Sequence, residues 1–204
     1  METNFLLFLL YAVGISLSGV MLPGPLTAAT IAKGYNSQNA GFLIGLGHAI
    51  VELPIILLIY FGFARFITAP EVKMIVGVLG GILLIVMGAM IIRTLGRNLS
   101  KAVDLPYNPL VTGIVMTGAN PYFFLWWATI GLALIATAAT FGITGIIVFV
   151  VLHWLCDIGW EQVISVTVFK TKHLWTDRIQ KIVFGICAAV LIGFGIWFCV
   201  SVFI

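Results

Sequence analysis

Two histidine–acid pairs recur at the same spacing in separate apolar stretches: His48 with Glu52, and His153 with Asp157, 105 residues later, followed by Glu161. Residues four apart share a helix face, about 6 Å apart along its axis. A carboxylate in lipid is costly, so these acids are expected to face a bundle interior or water, each with a partner. Three uses are open. The pairs can be hydrogen-bonded locks within the protein. They can relay protons, because imidazole and carboxylate titrate in the range that a proton-driven exporter uses. Or two imidazoles and two or three carboxylates can hold a borderline divalent cation such as zinc, cadmium, manganese or nickel. A bound divalent cation or a coupling proton is thus the one cofactor the residues suggest. The recurrence argues against chance burial. A metal-dependent hydrolase within the membrane is the reading from another class, but no conspicuous nucleophile accompanies the pairs, so an enzyme is not expected.

A second group of residues surrounds two breaks. Ser18-Gly19-Val20-Met21-Leu22-Pro23-Gly24-Pro25 is echoed by Thr112-Gly113-Ile114-Val115-Met116, running into Ala119-Asn120-Pro121. Proline inside an apolar run removes a backbone donor and frees carbonyls, which only protein or a wet cavity can receive. Interrupted spans in corresponding places of two halves point to a transport site near the bilayer midplane. Pro23, Gly24, Pro25, Thr27, Asn120 and Pro121 are therefore the candidates for binding substrate or ion. The neighbouring hydroxyls of Ser16, Ser18, Thr30, Thr112 and Thr117 either satisfy freed carbonyls or add to that site. Asn120, immediately before a proline, is best placed to project into a cavity. The aromatics that follow it, Tyr122, Phe123, Phe124, Trp126 and Trp127, are expected to form a packing surface or an interfacial belt.

The elements that must carry these residues are membrane helices. The chain is 62% hydrophobic and 8% charged, with a mean hydropathy of +1.20, where a soluble domain carries roughly 25% charged residues. Six apolar runs are predicted, at 5–33, 40–65, 72–94, 109–133, 141–169 and 179–203, each longer than the ~20 residues a helix needs to cross. This is an all-α integral membrane protein in a single domain, 1–204, with no nucleic-acid surface; its solvent is the lipid bilayer. The start lacks a basic n-region and a cleavage site, so the first run is expected to remain as a span. Residues 1–95 and 107–204 form two three-helix repeats, with spans 1 and 4 broken at proline. An odd number of spans per repeat inverts the second copy. Lys33, Arg93, Arg97, Lys101, Lys170, Lys172, Arg178 and Lys181 fall on one side, and only Arg65 and Lys73 on the other. That asymmetry places both termini outside the cytoplasm of a plasma-membrane protein. Cys156, Cys187 and Cys199 lie in spans without CxxC spacing and read as buried apolar residues. Gly77 and Gly81 offer a close-packing face, either within one chain or in a homodimer.

Taken in order, Pro23-Gly24-Pro25, Lys33-Gly34, Ala40-Gly41 with Gly45 and Gly47, and Asn120-Pro121 followed by aromatics resemble the lysine exporter (LysE) family of translocators. The resemblance covers nearly the whole chain. It implies a small-solute exporter, most commonly of amino acids, working by proton or ion antiport. The wider superfamily that it implies includes divalent-cation efflux proteins and thiol–disulfide electron carriers. Those carriers place cysteines beside the prolines of spans 1 and 4, where this chain has Gly24 and Asn120. The expected function is thus proton- or ion-coupled export of a small polar solute, foremost an amino acid. The alternative is divalent-cation efflux through His48, Glu52, His153 and Asp157.

Overall fold

The computed structural model describes residues 4–22, 24–62, 70–95 and 105–203, and they are helical with short connections. In order the helices are α1 (Phe5–Val20), α2 (Pro25–Gly34), α3 (Ala40–Tyr60), α4 (Pro70–Leu95), α5 (Pro109–Gly118), α6 (Pro121–Trp126), α7 (Leu132–Ala139), α8 (Gly142–Thr171) and α9 (Asp177–Ser201). A π-helical turn, Trp127–Gly131, joins α6 to α7, so Pro121–Ala139 runs as one span of 19 residues. That span, α3, α8 with the turn after it, and α9 are each long and apolar enough to cross a bilayer. α1 and α2 together qualify as a fifth, bent span, while α4 contributes the apolar stretch Gly77–Arg93. Large apolar side chains such as Leu7, Leu79, Ile147, Leu155 and Trp197 point outward, whereas Ser16, Glu52, His153, Asp157 and Glu161 are buried. Polar inside and apolar outside is the distribution that lipid requires.

Both breaks are restarts rather than kinks. α1 begins on an Asn4 cap, whose side chain accepts from Leu6 and Leu7, and ends at Val20. Gly24 is then fully extended (φ −156°, ψ −172°), and Pro25 occupies the first turn of α2. Proline pushes the residue before it out of the helical region and is itself well suited to a first turn. The axes of α1 and α2 meet at 73°. Pro23 lies outside the described residues. At the second break Asn120 is extended, Pro121 opens α6, and the Asn120 Oδ1 caps that helix by accepting from Tyr122 N–H at 3.0 Å. The two breaks are unequally placed. The longer piece, of 16 residues, precedes the first break, and the longer piece, of 19 residues, follows the second.

Glycine sets the approach of α3 to its neighbours. Gly41, Gly45, His48 and Glu52 form one stripe on α3, at helical spacings of three and four. A Cβ on Gly41 would overlap the Glu161 carbonyl oxygen, and one on Gly45 would meet the Ile158 Cα at 2.8 Å. α3 and α8 therefore run nearly backbone to backbone, and where the glycines end the stripe continues as His48 and Glu52 against Asp157 and His153. On another face, Gly47 and Gly113 bring α3 equally close to α5. α1 and α2 pack on α8, and α9 packs along α4.

Gly77 and Gly81 face Cys199 and Gly195 of α9 and Val202 at its C-terminal cap. The face that could have served a homodimer is thus covered within one chain, because small residues on both helices admit close contact there. Lys33 is not a loop cation: it lies in α2, buried, and donates to the Leu105 carbonyl at 2.7 Å. Lys172 donates to the Tyr35 carbonyl at the end of α2 (2.8 Å), where helix polarity favours a cation. Arg65, Arg97 and Lys101 lie outside the described residues. The three cysteines are free.

Candidate functional site

The two histidine–acid pairs meet in a single cluster. Within helices, His48 Nε2 is 3.2 Å from Glu52 Oε1, and His153 Nε2 is 3.3 Å from Asp157 Oδ2. Across helices, His153 Nε2 is 3.2 Å from Glu52 Oε1, and His48 Nε2 is 3.9 Å from Asp157 Oδ2. Glu52 is the hub. Its Oε1 also accepts from the Trp127 indole N–H at 3.0 Å, while its Oε2 is buried without a hydrogen bond.

Each imidazole is held from behind by a hydroxyl from the other half of the sequence, beside a helix break. His48 Nδ1 is 2.8 Å from the Thr117 Oγ1 at the end of α5, and His153 Nδ1 is 2.7 Å from the Ser16 Oγ in α1. The Ser16 hydroxyl already donates its one proton to the Ala12 carbonyl (2.7 Å), so it accepts from His153, whose Nδ1 therefore carries a hydrogen. A neutral ring of that tautomer would present the Nε2 lone pair to two carboxylate oxygens. A second proton, on Nε2 or on one of the carboxyl groups, or a cation would relieve that opposition.

This cluster forms one wall of a cavity of about 330 Å³. Gly24, Pro25 and Thr27 from the start of α2, and Asn120 from the second break, also line it, as does Glu161. Of the described sequence candidates, Pro121 is the one that stands back from the cavity, serving to open α6. Asn120 divides its amide: Oδ1 caps α6, which leaves the NH2 for the cavity. The surrounding hydroxyls split. Ser18 and Thr112 bond backbone carbonyls in their own helices, as proline-freed or ordinary helical acceptors would ask. Ser16 and Thr117 instead orient the histidines.

The aromatics after Pro121 are cavity walls, not only packing. Trp126 stacks on the His153 ring (centroids 5.3 Å apart, planes at 17°), and Phe123 stands edge-on to His48 at 5.3 Å. Tyr122 is exposed but still lines the mouth of the cavity. Of the two expected uses, a packing surface or a belt, Trp127 takes the first: it is buried in an apolar cluster at the start of the π-helical turn, with its indole N–H on Glu52. The signal available in the sequence was the adjacency of aromatics to a helix restart on the same face as a carboxylate.

The four facing atoms also test for a cation. A tetrahedral ion with bonds of ~2.0–2.1 Å has ligand–ligand edges of about 3.4 Å; the four edges measured here run from 3.2 to 3.9 Å. The ligand-type atoms of His48, Glu52 and Asp157 lie within 4.8 Å of one another. His153 stands outside that set, so the four atoms do not close a tetrahedron; the geometry suits a shared proton, or a cation held by His48, Glu52 and Asp157.

The model of the family described as "LysE type translocator" matches residues 17–202. A Bacillus subtilis (strain 168) protein named "Putative amino acid efflux protein YcgF" is 28% identical in an alignment that covers 94% of each chain. No solved structure matches.

Proposed function

This chain belongs to the LysE type translocator family, and from that premise we propose that it exports an amino acid through the cavity between its two broken spans, coupled to protons on the histidine–acid cluster. As a family member it is a multi-pass membrane transporter of small solutes and not an enzyme. The amino-acid reading draws support from the relative named for amino acid efflux. It also draws on a cavity volume at the low end of the ~300–1,000 Å³ that small-molecule sites occupy. The carrying observation is that both helix restarts and the histidine–acid cluster open onto that one cavity.

In the proposed mechanism the chain crosses the membrane six times as two inverted repeats, with both termini outside the cytoplasm of the plasma membrane. Packing supports the repeat: α3 lies on α8 and α4 on α9, second span on second and third on third. Each histidine is also bonded to the first span of the opposite half. A solute entering the cavity meets the shared proton. Its transfer between His153 Nε2 and the Glu52 or Asp157 carboxyl changes which half is tied to which, and rocking of the halves exposes the site to the other side. Counterflow of radiolabelled amino acids in proteoliposomes tests the substrate class. Exchange of at least one amino acid is expected, and failure across the full set would overturn it.

One observation favours a second reading, in which a divalent cation is the cargo: the ligand-type atoms of His48, Glu52 and Asp157 lie within 4.8 Å of one another. Calorimetry with zinc, cadmium and manganese decides between them. Micromolar binding by wild type that is lost in His48→Ala/His153→Ala promotes cation efflux, and no binding leaves the cluster to protons.

A further inference from the structure

Glu161 is the acid that the cluster does not use. It is 1% exposed, reaches the cavity, and neither carboxyl oxygen makes a hydrogen bond of ordinary geometry. The Thr30 hydroxyl, equally buried, is the side-chain donor that lies against its carboxyl. Both histidines are committed to Glu52 and Asp157, and Lys33, one turn beyond Thr30, donates to Leu105 O. A carboxyl buried in this way either holds a proton or takes a cation with N–H donors.

The complementary charge lies on the same helix as Thr30. α2 starts with no side-chain cap, its Gly24 extended and Pro25 lacking an N–H. Ala28 N–H is taken by the Gly24 carbonyl, and the N–H groups of Leu26 and Thr27 are, among the described residues, first-turn donors without helical partners. These donors, at the positive end of the helix dipole, meet the cavity beside Gly24 and Thr27. Thr30 is four residues along from Leu26, about 6 Å at 1.5 Å per residue, and its side chain leans back toward that end. One amino acid with a hydrogen bond at each end bridges such a distance.

Resting on the amino-acid reading above, we propose that Glu161 and Thr30 receive the ammonium group of the solute while the first turn of α2 receives its carboxylate. The site is then selective for zwitterionic α-amino acids over amines, which lack the carboxylate, and over 2-hydroxy acids, which lack the ammonium. Selectivity comes from leaving one end of the clamp unpaired when the wrong solute enters.

The test is counterflow in proteoliposomes with the best amino acid, using its 2-hydroxy acid and its decarboxylated amine as competitors, on wild type and Glu161→Gln. In wild type both competitors should be at least tenfold weaker than the amino acid. Glu161→Gln should raise half-saturation for the amino acid by about tenfold or more, as loss of a charge-assisted hydrogen bond does, and leave hydroxy-acid competition unchanged. A folded Glu161→Gln protein with wild-type half-saturation overturns the clamp while amino-acid export stands. Wild type that moves no amino acid overturns export itself. Should Glu161→Gln not fold, Thr30→Ala carries the test: a rise of about threefold supports the clamp, and an unchanged value overturns it.

Discussion

The Trp127 indole nitrogen donates to Glu52 Oε1 across 3.0 Å, and this bond ties the span after the second break to the hub carboxylate on α3. The bond is charge-assisted and buried, a class worth about 1.5–3 kcal/mol. Trp127→Phe keeps most of the apolar volume and removes the donor. It should lower the melting temperature of the purified protein and cut transport severalfold. Wild-type values for both would show that the bond is incidental.

The close approach of α3 to α8 depends on missing side chains. Gly41→Ala places a methyl on the Glu161 carbonyl, so the helices must separate and the cluster must loosen; several kcal/mol of destabilisation, or loss of folded protein, is expected. Gly185→Ala on α9 is the control, since its Cβ would meet nothing within 4 Å. There alanine should be neutral or stabilising by up to about 1 kcal/mol. Thermal unfolding of the two variants in detergent checks the contrast.

How much of this was legible follows from the physics of each signal. The i,i+4 pairs His48/Glu52 and His153/Asp157 could be read because helical periodicity fixes a shared face. Pro25 and Pro121 could be read as breaks because proline has few places to go in an apolar run. That the pairs merge on Glu52 could not be read, since it depends on how near Gly41 and Gly45 let α3 approach α8, a three-dimensional fact. That Trp127 packs in the core could be expected of an aromatic after a helix restart, but that its indole N–H reaches Glu52 could not, since this too depends on the approach of separate helices. Lys33 looked like a loop charge because its acceptor, Leu105 O, is distant in the chain.

Lys33 donates to that carbonyl from a buried position. Lys33→Met retains the aliphatic stem and removes the donor, leaving the Leu105 carbonyl short of a partner. A loss of about 1–3 kcal/mol is expected, read as a lower melting temperature with little change in half-saturation for substrate. A changed half-saturation with unchanged stability would move Lys33 from a fastening to a binding role.

Thr27 and Asn120 line the cavity, whereas Ile147 faces outward among the large apolar side chains. Single cysteines at 27 and 120, in a background without Cys156, Cys187 and Cys199, should react with a small water-soluble maleimide and be protected by transported solute. A cysteine at 147 should react slowly and show no protection. Equal labelling at the three positions would mean that water does not fill the cavity.

The most direct test of proton coupling is transport in inverted vesicles driven by an imposed pH gradient, comparing wild type with Glu52→Gln and Asp157→Asn. Each amide keeps the shape and removes an exchangeable proton site from the cluster. The account predicts that gradient-driven uptake collapses in both variants while exchange without a gradient survives in at least one. Gradient-driven uptake at the wild-type rate in both variants would contradict it.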